Sequence, residues 1–220
     1  MNFEMKGRLL YNFANVMGIM FPSGKLENGG TCEFASRTCL KECCATACVS
    51  NKQIVGHTNK KKTYDAFLLN SVEIITQKIS NELRENNCTV LTWFGCGDCP
   101  SFLTEKYFNI VKQIDELGFA QTGFTRNRKL WQLCKTLSAT TKVILSIEDV
   151  KKETEKGMFS IADYEKGSVS IVIINKKRTA ILCNCGSDYY ENHWRLKNKS
   201  APKLKFDCRF CYDNKKGCFS

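Results

Sequence analysis

The chain lacks any run of roughly 18 uninterrupted apolar residues, so nothing in its 220 residues reads as a membrane-spanning helix. The first residues do not read as a secretory leader either. The start, MNFEMKGRLLYNFANVMGIMF, is broken by Asn12 and Asn15 and has no small-residue cleavage site, which leads us to expect a cytosolic protein. Internal repeats and low-complexity segments are absent. Histidine is scarce: His57 and His193 each stand alone in a polar stretch and read as surface residues rather than ligands or bases. What remains is a globular chain, 43% hydrophobic, long enough for one large domain or a domain with a small appendage.

Cysteine is the opposite case, with 14 in the chain. A reducing cytosol disfavours disulfides, and disulfide scaffolds are normally shorter secreted chains, so metal or cluster ligation accounts for them better. Five fall within CEFASRTCLKECCATAC, residues 32–48. Thiolates at Cys32, Cys39 and Cys43, with Cys44 and Cys48 beside them, suit a soft-metal or iron–sulfur site. If 39–51 forms a helical turn or two, Cys39 and Cys43 lie at i and i+4 on one face. A second group closes the chain: Cys183-x-Cys185, then Cys208-x2-Cys211 and Cys218. One of Cys183 or Cys185 with Cys208, Cys211 and Cys218 makes four ligands, for zinc or for a cluster. Cys88 and Cys134 read as buried small hydrophobes. Cys96 and Cys99 flank Asp98, and their role stays open.

The formal charge is +11, from 33 Lys and Arg against 22 Asp and Glu. Lys60 to Lys62 form one run, and Arg195, Lys197, Lys199, Lys203, Lys205 and Arg209 make the tail basic. Two readings stand side by side: contact with nucleic acid or another acidic partner, or solvated lysines in a Lys- and Asn-rich sequence.

In chain order, 16–21 reads as a first strand, followed by the turn signals of PSGKLENGG and the cysteine loop. Residues 51–62 read as a basic linker. From 63 to 87, Phe67, Leu68, Val72, Ile75, Ile79 and Leu83 recur near the helical period, predicting one helix that ends at Asn86-Asn87. CTVLTWFG (88–95) reads as a buried strand stopping at Gly95-Cys96-Gly97-Asp98. Ser101 is placed to cap a helix over 102–118 that closes with Gly118. A strand over 119–125, a helix over 126–137 and a strand over 142–149 follow. Trp93, Trp131, Phe102 and Phe108 fall at core spacing. Shorter strands are expected at 158–164, 168–175 and 178–184. Alternating strands and helices signal parallel βα units, whose active residues gather at the strands' carboxyl ends. The three central strands end in Cys96 and Asp98, in Thr125 and Arg126, and in Ser146, Glu148 and Asp149.

The stretches CEFASRTCLKECC, WFGCGDC, TGFTRNR, LSIED and DCRFCYDNKKGC together resemble the radical S-adenosylmethionine (SAM) enzymes. The likeness is to small phage-type members with a Cys-x6-Cys-x3-Cys motif, here with Glu33 and Cys44 where that motif carries Pro and Tyr. The resemblance implies an α/β fold: a partial βα (TIM-like) barrel over 1–182, its cluster loop at 32–48, and a cysteine-rich extension over 183–220. It also implies a 4Fe-4S cluster on Cys32, Cys39 and Cys43, reductive cleavage of SAM, and hydrogen abstraction from an unknown substrate, with nucleic acid, nucleotide or peptide as candidates. The family's SAM contacts fall on Gly95, Gly97, Asp98, Thr125, Arg126, Ser146 and Glu148. Its auxiliary clusters correspond to a second iron–sulfur cluster, or zinc, on Cys185, Cys208, Cys211 and Cys218. An electron donor such as flavodoxin or ferredoxin would serve it, in the host cytoplasm if the protein is phage-encoded. Without the cysteine loop, Gly-Cys-Gly-Asp reads equally well as a strand-to-helix turn that needs flexible φ. The rival from another class is a non-catalytic, zinc-stabilised nucleic-acid-binding protein with two closed four-cysteine sites.

Overall fold

The computed structural model describes residues 7–13, 16–41, 51–147 and 169–171. Two compact units divide the chain, Met1–Val143 and Ile144–Ser220. The first opens with β1 (Tyr11–Phe13) and β2 (Val16–Met20), an antiparallel pair with Tyr11 opposite Gly18. Three helices follow: α1 (Arg37–Lys41), α2 (Asn51–Leu69) and α3 (Val72–Glu85). Then strands and helices alternate as β3 (Val90–Cys96), α4 (Thr104–Glu116), β4 (Ala120–Thr125) and α5 (Arg128–Cys134), before β5 (Thr141–Ile147) begins. β2, β3 and β4 are parallel neighbours in chain order. This is the mixed α/β fold with a parallel sheet that the sequence predicts.

Period decides which residues meet. Met17, Ile19 and Phe21 alternate along β2, and Leu91 and Trp93 along β3. They share one buried cluster with Ile75, Ile79 and Leu83 of α3, Tyr107, Ile110 and Ile114 of α4, and Leu130 of α5. All three helices therefore cover the same face of the sheet, as right-handed crossovers between sequential parallel strands require. Full burial of each such side chain is worth about 1.5–3 kcal/mol. Buried Gln121 joins the layers: its Nε2 donates to Val111 O and Thr141 Oγ1, and its Oε1 accepts from Trp93 Nε1.

Several sequence expectations change. The stretch read as a basic linker, 51–62, is helical, and the single helix expected over 63–87 is divided. α2 runs through both stretches to Leu69, with Thr63 and Phe67 buried. Tertiary burial thus recruits a Lys-rich run that contains Gly56 and lacks an amphipathic pattern of its own. Asn70-Ser71 then interrupts the helix by capping. Asn70 Nδ2 donates to Ala66 O, and Ser71 Oγ accepts from Ile74 N at the start of α3. β1, a three-residue edge strand, gave no periodic signal. Phe102 is 64% exposed instead of buried, because a 3-10 turn at Ser101–Leu103 precedes α4 and sends Leu103 inward. Trp93 and Trp131 are buried as expected, and Phe108 packs against the core.

In the second unit the end of β5 pairs in parallel with β6 (Val169–Ile171), Leu145 opposite Val169 and Ile147 opposite Ile171. The strands expected at 158–164 and 178–184, the boundary at 182/183 and the cysteine tail lie outside the described residues. None of the described helices is long and apolar enough to cross a membrane.

Entry into the sheet depends on Glu82, a buried carboxylate on α3 that accepts from the amides of Leu9 and Leu10 at 2.9 Å each, with Lys78 Nζ 3.6 Å away. Glu82→Ala leaves both amides without that acceptor and is expected to cost about 3 kcal/mol, read as a lower urea midpoint; Glu82→Gln, which keeps one oxygen, costs less. An unchanged midpoint for the alanine variant would show that this tie contributes nothing.

Candidate functional site

Parallel strands present their carboxyl ends along one edge. Here β2 runs out at Phe21-Pro22, β3 at Gly97-Asp98 and β4 at Thr125-Arg126, and Phe21 N donates to Cys96 O across the first two. Asp98 ties these ends together. Its Oδ1 accepts from Thr125 Oγ1 at 2.6 Å and from Cys99 N at 2.7 Å, and its Oδ2 from Arg126 N at 2.8 Å. Its own amide donates to Thr31 Oγ1 at 2.9 Å, while the Thr31 hydroxyl donates to Pro22 O. Asp98 is buried, and this desolvation pushes its carboxyl up to about 6. The Thr125 hydroxyl, the Arg126 and Cys99 amides and the Arg126 charge pull the other way.

A second bridge runs beneath it. Asn127 caps α5 through Oδ1, which accepts from Leu130 N, and its Nδ2 donates to Cys99 O and Thr104 Oγ1. The helix start over 126–137 was legible in sequence; that its cap also locks the β3–α4 loop was not.

The cysteine loop joins this network. Thr31, fully buried, immediately precedes Cys32, whose amide donates to Gly24 O. Glu33 then accepts from Ser101 N at 2.6 Å and Ser101 Oγ at 2.9 Å, so Ser101 meets the loop rather than capping α4. Ser36 Oγ accepts from Cys39 N and starts α1, which carries Cys39 at its third position. Cys32 and Cys39, both half-buried, thus lie on a loop bonded to the strand ends. Cys43 and the tail set Cys185, Cys208, Cys211 and Cys218 lie outside the described residues. Among the described residues no three His, Cys, Asp or Glu side chains gather as a metal site.

The other described thiols are placed differently. Cys96 Sγ donates to Phe21 O and Cys88 Sγ to Val90 O. Burial pushes the Cys134 thiol up to about 12 and Cys99 higher still, with the Asp98 charge adding to the effect at Cys99. Such groups stay protonated and pack as small hydrophobes. Cys134 fits the sequence expectation, whereas Cys88 is only half-buried against the core.

The backbone at the end of β3 is unusual. Gly18 pairs with Thr92 but Met20 with Cys96, so β3 carries two extra residues in a bulge. Phe94 within it has φ +55°, rare for a bulky side chain, and turns inward beside Trp93. Gly95 is left exposed at the rim. Gly97 has φ +77°, and a Cβ there would lie 2.6 Å from Thr31 Oγ1 and 2.8 Å from Phe21 Cβ. Glycine is needed at 97 for both reasons.

The structure therefore brings together Gly97, Asp98, Thr125 and Arg126, with Gly95 beside them and Cys32 one residue from the tie. Ser146 lies in the second unit, and Glu148 lies outside the described residues. Thr31 and Glu33 carried no local signal, since their partners are 67 and 68 residues away.

The Asp98 shift has a definite sign. Its folded value, about 6, lies above the ordinary 3.8, so its contribution to stability is full below about pH 4 and is lost as pH rises through about 6. The loss amounts to about 3 kcal/mol. Urea midpoints between pH 4 and pH 7 are expected to fall more steeply for the wild type than for Asp98→Asn; parallel curves would refute the assignment.

No protein-family model, curated protein or solved structure matches this chain.

Proposed function

We propose that the protein is a radical SAM-like iron–sulfur enzyme whose parallel sheet forms part of a βα barrel. One observation carries this reading: the hydrogen-bonded path from the cysteine loop through Thr31 and Asp98 to Thr125 and Arg126. A metal-type loop and the strand ends where βα folds place their chemistry share one rigid rim.

The donor chemistry fits. Cys32 and Cys39 are half-buried thiols on an edge loop, and soft sulfur donors suit iron–sulfur ligation, with Cys43 as the third. Cys32, Cys39 and Cys43 would hold a 4Fe-4S cluster, which would supply the electron for cleaving SAM and so start hydrogen abstraction from substrate. The chain's own part is to bind and orient. The exposed backbone at Gly95 and the turn at Gly97 would receive SAM. Asp98 and Thr31 hold that turn fixed, and Thr125 and Arg126 line its far side. The tail thiols Cys185, Cys208, Cys211 and Cys218 would hold a second cluster or zinc. An external one-electron donor of the flavodoxin or ferredoxin kind completes the cycle.

Protein purified without oxygen is expected to contain iron and acid-labile sulfide that drop when Cys32, Cys39 and Cys43 are changed together to Ala. The reconstituted, reduced wild type is expected to release 5'-deoxyadenosine from SAM. Thr31→Val, which cuts the path while sparing every thiol, should keep the iron and slow that release about tenfold or more. Zinc without sulfide would sink the proposal in favour of the zinc-stabilised binding protein.

A further inference from the structure

We propose that the surface around Phe34 and Phe102 is a stacking platform for single-stranded nucleic acid. This concerns binding alone and holds whether or not SAM is cleaved.

Phe102 is 64% exposed and Phe34 37%, with Leu69 at 67% and Leu68 at 39%. Exposed large apolar groups gathered in one region mark an interaction site, whereas scattered ones do not. These are gathered by named bonds. The Glu33–Ser101 tie sets Phe34 and Phe102 on neighbouring positions, one from each side of the tie. One helical turn beyond Phe102, Lys106 Nζ donates to Leu68 O and brings in the end of α2.

Charge points to the occupant. Glu105 and Asp65 are paired with Lys129 at 2.6 Å and Lys61 at 2.9 Å, while exposed Glu33 keeps its charge under the neutral donors of Ser101. Exposed Arg37, three residues from Phe34, and half-buried Lys106 outnumber that one carboxylate and leave the patch with a positive balance, in a chain of net charge +11. A folded protein partner calls for a contiguous apolar centre with a polar rim. Here a polar tie separates two aromatic rings, which suits bases stacked singly with phosphates running past the cations. Paired bases do not offer their faces in this way, so a single strand is the better fit.

The test is fluorescence anisotropy of a short labelled single-stranded oligonucleotide of mixed sequence with the full chain. Binding is expected to weaken as salt is raised, and Phe34→Ala and Phe102→Ala are each expected to weaken it about tenfold at unchanged melting temperature. Leu117→Ala, which removes an exposed leucine at the other end of α4, should leave affinity unchanged. A duplex of the same sequence should bind more weakly. Absence of oligonucleotide binding, or aromatic variants that bind like wild type, would overturn the proposal. So would variants that lose affinity for polyglutamate but not for the oligonucleotide, which would assign the surface to an acidic protein.

Discussion

A single buried carboxylate holds together the carboxyl ends of the central strands. Removing Asp98 from water costs several kcal/mol, and three donors converging on its two oxygens offset that cost, at about 1.5–3 kcal/mol per bond to a charged acceptor. The balance falls slightly short, which is why the carboxyl titrates near 6 rather than below its ordinary value. The neighbouring choices follow from this one group. Thr31 must sit where the Asp98 amide points, and Gly97 must lack a side chain so that Thr31 and Phe21 can approach. The bulge at Phe94 brings the strand end to the rim in the required direction.

Local physics made much of this readable from sequence. The Ile75, Ile79, Leu83 spacing places α3, and the helix expected over 126–137 contains α5, whose Asn127 cap emerges only in the structure. Gly-Cys-Gly-Asp and Thr-Arg at successive strand ends lead to Asp98, Thr125 and Arg126 as neighbours, because parallel strands in chain order put their ends side by side. Illegible features are those set by distant partners. Thr31 looks like an ordinary loop threonine until Asp98 arrives from 67 residues away. Phe102 has core-like spacing, but a single 3-10 turn changes the face it occupies. The run before Thr63 has a linker's composition and becomes helix because Thr63 and Phe67 are buried.

The thiols divide by environment rather than by sequence neighbourhood. Cys96 and Cys99 flank Asp98, yet their sulfurs point to the carbonyls of Phe21 and Pro100. With Cys99 and Cys134 held protonated by burial, the described cysteines that retain access to solvent and sit on the rim are Cys32 and Cys39.

Carboxylates are the minority charge in this chain, and the structure uses them as acceptors for backbone amides at its long-range crossings. Glu82 takes the amides of Leu9 and Leu10, Glu33 takes that of Ser101, Asp98 takes those of Cys99 and Arg126, and Asp115 takes that of Ser138. An acceptor-only group is the right choice where donors converge; an amide side chain would set an N–H against an N–H at one of them. Glu82 and Asp98 are buried at their ties, whereas Glu33 and Asp115 make theirs nearer the surface and keep their charge. The basic balance of the chain comes from its 33 lysines and arginines against 22 acidic residues, and that balance is what a polyanion would meet.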